Sequence, residues 1–340
     1  MDGIAESIDR VAAATGFAGV VRVDRRGREP FVRAYGLAHR GSRLENTVGT
    51  RFGIASGTKG LTALAVMRLV EDGVLDLGTT ARSLLGKDLP LVDDRVTVEH
   101  LLAHRSGIGD YLAEAPGSSP TGYVLPVPVH RLAETRDYLA VLGGHPQVFA
   151  PGERFAYNNS GFVILALVAE RASGSSFRRL VAELVCGPAG MAGTGFPRSD
   201  EPDGLAALGY LERDGPRTNV LHLPVRGSGD GGAYSTATDV TALWQALFAG
   251  RIVPAGRVAE MVRPRSDVPG ERKRYGLGFW LHPRSRAVAL EGYDAGVSFR
   301  SVCDPDAGII HTVISNWTDG AWPLARHLRD RLTPEPAGEC

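Results

Sequence analysis

The 340-residue sequence predicts an α/β fold of the α+β kind: one antiparallel sheet assembled from both chain ends and flanked by helices, with a helical lobe inserted between them. Three observations predict it. The segment 17–38, FAGVVRVDRRGREPFVRAYGLA, alternates apolar and polar residues on either side of an Arg-Gly pair, as a β-hairpin does. The far end of the chain repeats the pattern in 275–283, 286–293, 296–305 and 308–317, each a short strand with a tight connection. Between these ends, 97–107, 131–144, 161–174 and 177–187 space their apolar residues as helices do, between Gly and Pro breaks.

Taken in order, Ile4, Ile8 and Val11 lie on one side of a first helix, which leads into the hairpin. From Gly60 to Val70 apolar residues surround the whole helix circumference, so this helix is expected to be buried on all sides and to stop at Gly73. A helix over 235–250 precedes the strand series, and 322–332 closes the fold with another. The expected organisation is a lobe of residues 1–74 and 227–332, a helical lobe of 75–226, and a disordered tail, 333–340.

Composition excludes several function classes. Net charge is zero, pI is near 7.1, and acids are interleaved with bases, so no basic stripe for nucleic acid stands out. No apolar run reaches the ~18 residues of a membrane span, and the start has no secretory signature. Cys186, Cys303 and Cys340 are far apart, which argues against a disulfide framework or a thiolate zinc site. The expectation is a cytoplasmic protein whose partners are small molecules, with neither nucleic acid nor membrane among them.

Only three of the 38 basic residues are lysines: Lys59, Lys87 and Lys273. Lys59 follows Ser56 by three residues at the start of the buried helix, and positions i and i+3 share a helix face. A serine hydroxyl becomes a useful nucleophile when a neighbouring base takes its proton, and a lysine can be neutral where an arginine cannot. The Ser56 N–H also belongs to the unpaired amides of a helix start, where an oxyanion is stabilised. The structural alternative is a capping serine beside a solvated lysine; a first-turn cation opposes the helix dipole, which weighs against it. Tyr157-Asn158-Asn159 stands before a second apolar helix. There Tyr157 is a candidate proton relay and Asn159 a candidate to orient Lys59 and a substrate carbonyl. The alternative is that Asn159 or Ser160 caps the helix while Tyr157 packs at a lobe interface.

Ser56-x-x-Lys59 followed by Tyr157-x-Asn159 resembles the penicillin-recognising serine hydrolases, in the branch of class C β-lactamases, D-Ala-D-Ala carboxypeptidases, D-aminopeptidases and family VIII esterases. VTVEHLLAHRSGIGDY (96–111) and GSGDGGAYSTATDVTALW (227–244) extend the likeness over nearly the whole chain. The resemblance implies a site in the cleft between the α/β and helical lobes, and acyl-enzyme chemistry without cofactor or metal. Its third element is K-T-G or H-x-G on a strand. Here LEGYDAG (290–296) aligns Gly292 with the motif glycine and Leu290 with its cation, so the cation is absent. By that alignment the Tyr293 N–H completes the oxyanion hole begun by Ser56. Glu291 and Asp294, placed near the substrate, would repel the carboxylate that β-lactams and D-Ala-D-Ala peptides carry; the alternative is that Glu291 points into the α/β lobe and Asp294 caps the turn before Gly296. Ester hydrolysis is therefore expected first and amide hydrolysis beside an N-terminal ammonium second, with acyl transfer or a weakly catalytic sensor as further alternatives.

Other patterns carry less. Gly227-x-Gly229-x-x-Gly232 lacks the βαβ setting of a dinucleotide site and reads as flexible backbone by the cleft. His100 and His104 are one helical turn apart without a third metal ligand, so they read as structural. Trp280, Trp317 and Trp322 line an acyl pocket or fill core, core being expected for at least two. The Pro/Gly/Ser-rich loop 111–130 is the expected rim of the cleft.

Overall fold

A computed structural model describes residues 3–112, 119–201 and 204–332. Helix α1 (Ile4–Thr15) buries Ile4, Ile8 and Ala12 at four-residue spacing and ends at Gly16 in the left-handed region. Strands β1 (Gly19–Arg25) and β2 (Phe31–Tyr35) form the N-terminal hairpin, which turns at Gly27 with φ +73°. Helix α2 (Thr58–Glu71) follows, then α3 (Asn159–Ser173) and α4 (Ala237–Phe248). The C-terminal series comprises β3 (Ser266–Val268), β4 (Lys273–Tyr275), β5 (Trp280–Leu281), β6 (Val288–Asp294), β7 (Val297–Asp304) and β8 (Ile309–Ser315), closed by α5 (Trp322–Leu332).

These strands make one eight-stranded antiparallel sheet in the order β2-β1-β8-β7-β6-β5-β4-β3. The first strand pairs with the last along its whole length, from Gly19 opposite Ser315 to Arg25 opposite Ile309. Strand alternation then divides the apolar residues between two faces. Val21, Val23 and Val313 meet Ile8, Leu324 and Leu328 of α1 and α5. Val20, Leu290, Phe299 and Ile314 share the other core with α2, α3 and α4, and the Trp244 indole N–H donates to Ser301 Oγ (2.8 Å) to tie α4 to the sheet.

Helix α2 is buried on all sides, as its composition demands, with twelve of its fourteen residues inaccessible. It ends at Glu71, and Gly73 supplies the left-handed residue just beyond. Two expectations change. Segment 131–144 is not one helix but the short turns Thr135–Tyr138 and Leu139–Leu142, opened by Asp137 accepting from the Glu134 N–H. Segment 275–283 has strand only at Tyr275 and at Trp280–Leu281, because Gly278 turns with φ +86° where a Cβ would stand 2.2 Å from Ala63 of α2. A single apolar core runs through α2, α3 and the sheet. We propose that lobes of residues 1–74 with 227–332 and of residues 75–226 share this core. The tail 333–340 lies outside the described residues. Among the described residues no helix is long and apolar enough to cross a membrane.

Candidate active site

Ser56 sits in a 3₁₀ turn, Ala55–Gly57, between the short strand Phe52–Gly53 and α2. Ala55 has φ +42°, an unfavourable conformation for a residue with a Cβ, and it turns the chain sharply before the serine. The first turn of α2 then brings Lys59 beneath Ser56. Lys59 is only 2% exposed, and its Nζ lies 2.9 Å from Ser56 Oγ, 2.8 Å from Asn159 Oδ1 and 2.8 Å from the Asp230 carbonyl oxygen. The solvated-lysine alternative is thereby excluded.

This cage has a chemical consequence. An ammonium donates to all three oxygens. A neutral amine gives its two hydrogens to the two carbonyl oxygens, which can only accept, and is left with its lone pair toward the serine hydroxyl. Both protonation states are accommodated without moving an atom.

Asn159 is free for this work because Asn158, not Asn159 or Ser160, caps α3: its Oδ1 accepts from the Gly161 N–H (2.7 Å). Asp110 completes the arrangement. Its Oδ2 accepts from Asn159 N (2.9 Å) and Nδ2 (3.2 Å), and its Oδ1 from Ser160 N (2.9 Å) and Oγ (3.1 Å). With its amide nitrogen held there, Asn159 turns its oxygen to Lys59.

Tyr157 presents its ring to Lys59, with Nζ 4.9 Å from the centroid. The ring is packed against His104 (4.4 Å between centroids) and lies parallel to Trp280 (6.0 Å). His104 is buried; burial and the Lys59 charge hold its pKa well below the usual 6.5, and its Nδ1 accepts from the Asn158 N–H (3.1 Å). It is thus a neutral structural histidine. Thr97 caps the helix Val98–Leu102 and His100 Nδ1 accepts from the Thr97 N–H (3.3 Å), and the described residues contain no cluster of His, Cys, Asp or Glu able to hold a metal.

The third sequence element meets the Ser56 turn from the sheet. A Cβ at Gly292 would stand 2.0 Å from the Ile54 carbonyl oxygen, so only glycine lets β6 lie this close. Leu290, at the position of the missing cation, is core: it fills the space over Gly60 of α2. Strand alternation turns Glu291 to the opposite face. There it pairs with Lys273 of β4 (2.7 Å) and Arg300 of β7 (2.8 Å), and it does not line the cavity beside Ser56. The expected repulsive role of Glu291 is corrected accordingly, since two cations neutralise it on the far side of the strand. Asp294 does line that cavity; its Oδ1 accepts from Ala295 N (2.8 Å), capping the turn, and from the Tyr123 hydroxyl (3.1 Å). Tyr293, 40% exposed, stands at the mouth and donates its hydroxyl to Asp319.

The cavity has a volume of about 560 Å³ and opens on Ser56 and Asn159. Leu112, Val124, Leu125, Val220, Leu223 and Val297 make much of its wall apolar. Its described lining includes the carboxylates of Asp230 and Asp294 and no lysine, arginine or histidine. Burial pushes the Asp230 carboxyl upward, against the pull of Lys59, and the Tyr111 hydroxyl donates to it at 2.6 Å. Residues 119–125 supply part of the rim, as expected of the 111–130 loop; 113–118 lie outside the described residues. Trp280, Trp317 and Trp322 do not line it. The glycines of 227–232 carry the Asp230 carbonyl to Lys59, with Gly229 packed where a Cβ would strike the Phe162 carbonyl oxygen.

Sequence reasoning missed Asp110, Tyr111 and Asp230. Asp110 and Tyr111 lie in a segment quoted for its family likeness and Asp230 in a glycine-rich one, and nothing in either pattern reports a long-range hydrogen bond.

The sequence model of the Beta-lactamase family matches residues 4–332. Esterase EstB of Burkholderia gladioli is 30% identical over 76% of this chain and 73% of its own length. The D-aminopeptidase of Brucella anthropi is 28% identical over 78% of this chain and 49% of its own. The chain thus spans between about half and three quarters of these curated relatives. Among solved structures, a penicillin-binding protein from Bacillus halodurans superposes with a TM-score of 0.89 at 34% identity, covering 96% of this chain and all of that one.

Proposed function

The chain belongs to the Beta-lactamase family, and from that premise we propose that it is a serine hydrolase working through an acyl-enzyme on Ser56, with small carboxylic esters as its substrates. The observation that carries this reading is the contact of Lys59 Nζ with both Ser56 Oγ and Asn159 Oδ1, at the floor of a cavity on which the serine opens.

In the first half-reaction Ser56 Oγ attacks the ester carbonyl carbon while its proton passes to the Lys59–Tyr157 pair. The N–H groups of Ser56 and Tyr293 receive the oxyanion; the close approach of Gly292 to the Ile54 carbonyl supports that pairing. The C–O bond to the leaving alcohol then breaks, and Tyr157 returns the proton to it. In the second half-reaction the same pair takes a proton from water, which attacks the acyl-enzyme and releases the carboxylic acid and Ser56. Asn159 orients Lys59 and the substrate carbonyl. Asp294 and Gly292 shape the edge along which the substrate lies.

The cavity's carboxylates and its lack of a described cation favour neutral esters over substrates with a carboxylate beside the reacting carbonyl. The same observation supports a second reading, hydrolysis of amides that carry an ammonium group. Turnover of p-nitrophenyl esters from acetate to octanoate, beside nitrocefin and a D-amino-acid p-nitroanilide, separates these substrates. The Ser56→Ala variant is expected to keep the fold and lose turnover; full activity in that variant would end the proposal.

A further inference from the structure

A second cavity, about 490 Å³, shares no lining residue with the Ser56 cavity and lies on the sheet face opposite Leu290, with Trp280 stacked on Tyr157 at its edge. Its floor is apolar. Trp280, Ala287, Ala289 and Val302 form a small cluster separate from the two main cores, and the register sets Trp280, Ala289 and Val302 side by side on β5, β6 and β7. Arg272, Lys273, Arg300 and Arg329 surround this floor with Glu271 and Asp330. Lys273 and Arg300 share Glu291, Lys273 also lies 3.6 Å from Glu271, and Arg329 pairs with Asp330 at 3.0 Å. Among the described residues four cations thus face three carboxylates, and the exposed Arg272 has no ion-pair partner there.

Buried polar atoms nearby also lack hydrogen bonds, the ion-paired acceptor Glu291 Oε1 among them, though His311 does not itself line the cavity. Arg300 Nε has no hydrogen-bond partner in the described protein. His311, the cross-strand neighbour of Val302, is 1% exposed and has none at either ring nitrogen. One of those nitrogens carries a hydrogen in the neutral ring, which burial enforces. An apolar floor with a guanidinium outside any ion pair at its rim and the Arg300 guanidinium beside it fits a ligand that is negatively charged at one end and apolar at the other.

We propose that this cavity binds a carboxylate carrying an aliphatic or aromatic tail, the tail on the Trp280–Ala289–Val302 floor and the carboxylate toward Arg272 and Arg300. The site is distinct from the Ser56 cavity, whose described lining offers no cation to hold such a group.

Calorimetric titration of the full chain with sodium octanoate tests this, with octanamide as the uncharged counterpart and Arg272→Met as the variant. Octanoate is expected to bind at one saturable site, with affinity lowered at least about ten-fold both by the amide, which removes the charge from both contacts, and by Arg272→Met, which removes one of them. Arg300→Met is expected to weaken binding further, but it leaves Glu291 with fewer partners. Arg272 is exposed, so its variant keeps the fold and decides the matter alone. Equal affinity for octanamide, unchanged octanoate binding in Arg272→Met, or no saturable binding at millimolar octanoate would each overturn the proposal.

Discussion

Replacing Asp110 with Asn tests whether the catalytic lysine is set in place from the outside. The two carboxylate oxygens of Asp110 accept four hydrogen bonds from Asn159 and Ser160 at the start of α3. An asparagine offers one oxygen, so one donor pair loses its acceptor and meets an NH₂ group. At about 1 kcal/mol for each bond lost, plus a helix-end charge worth about 0.5 kcal/mol, stability should fall by about 2–3 kcal/mol. The larger effect should be kinetic. Once Asn159 Nδ2 is no longer held by Asp110, the amide is free to rotate its nitrogen toward Lys59, and the lysine loses one of the two carbonyl oxygens that aim it at Ser56. A displacement of this kind costs about 10- to 100-fold in kcat, or about 1.4–2.8 kcal/mol, with a rise in KM as well because the rotated Asn159 lines the cavity and orients the substrate carbonyl. Steady-state hydrolysis of p-nitrophenyl acetate, with near-UV circular dichroism and thermal melting, gives both numbers. A folded Asp110→Asn variant with kcat within about two-fold of wild type would refute the positioning argument.

Three further substitutions probe other parts. Lys59→Arg should reduce ester turnover by at least about 1,000-fold, because a guanidinium stays protonated and cannot accept the Ser56 proton; substantial turnover in that variant would remove Lys59 from proton transfer. Gly292→Ala should destabilise the fold by about 2 kcal/mol and lower kcat/KM at least about ten-fold, since its Cβ meets the Ile54 backbone oxygen, which cannot rotate away. Unchanged kinetics there would mean that β6 does not need its close approach to Ser56. His311→Leu tests burial electrostatics: burial lowers the His311 pKa to about 3 in the folded chain, while the unfolded chain protonates near 6.5. As pH falls between those values the unfolded state holds the extra proton, so stability falls by about 1.4 kcal/mol per pH unit, and none of this contribution operates above pH 6.5. Denaturant titrations between pH 6 and pH 4 should show the variant's slope shallower by about one proton; identical slopes would contradict the burial argument.

Much of the site's core was legible because it is local. Ser56 and Lys59 meet through the helix repeat itself, and an all-apolar helix has nowhere to go but the interior, so their placement follows from about fifteen consecutive residues. The end-to-end sheet was legible for a similar reason, since alternation marks strands and the two ends were the segments that showed it. That Asn159 orients Lys59 was read from the donor and acceptor of its amide beside a second apolar helix, and geometry supplies the physical cause in the Asp110 carboxylate.

What only tertiary structure decided involves backbone atoms and strand faces. The Asp230 contact to Lys59 is made by a carbonyl oxygen, which every residue possesses, so no side chain announces it. Glu291 shows the limit most clearly. Sequence places it one residue from the site's edge, yet the pleat turns it away, and its partners Lys273 and Arg300 arrive on two different strands. A one-residue step along a strand changes the face, and the partners that await it there are set by long-range register, which the order of residues in one segment does not contain.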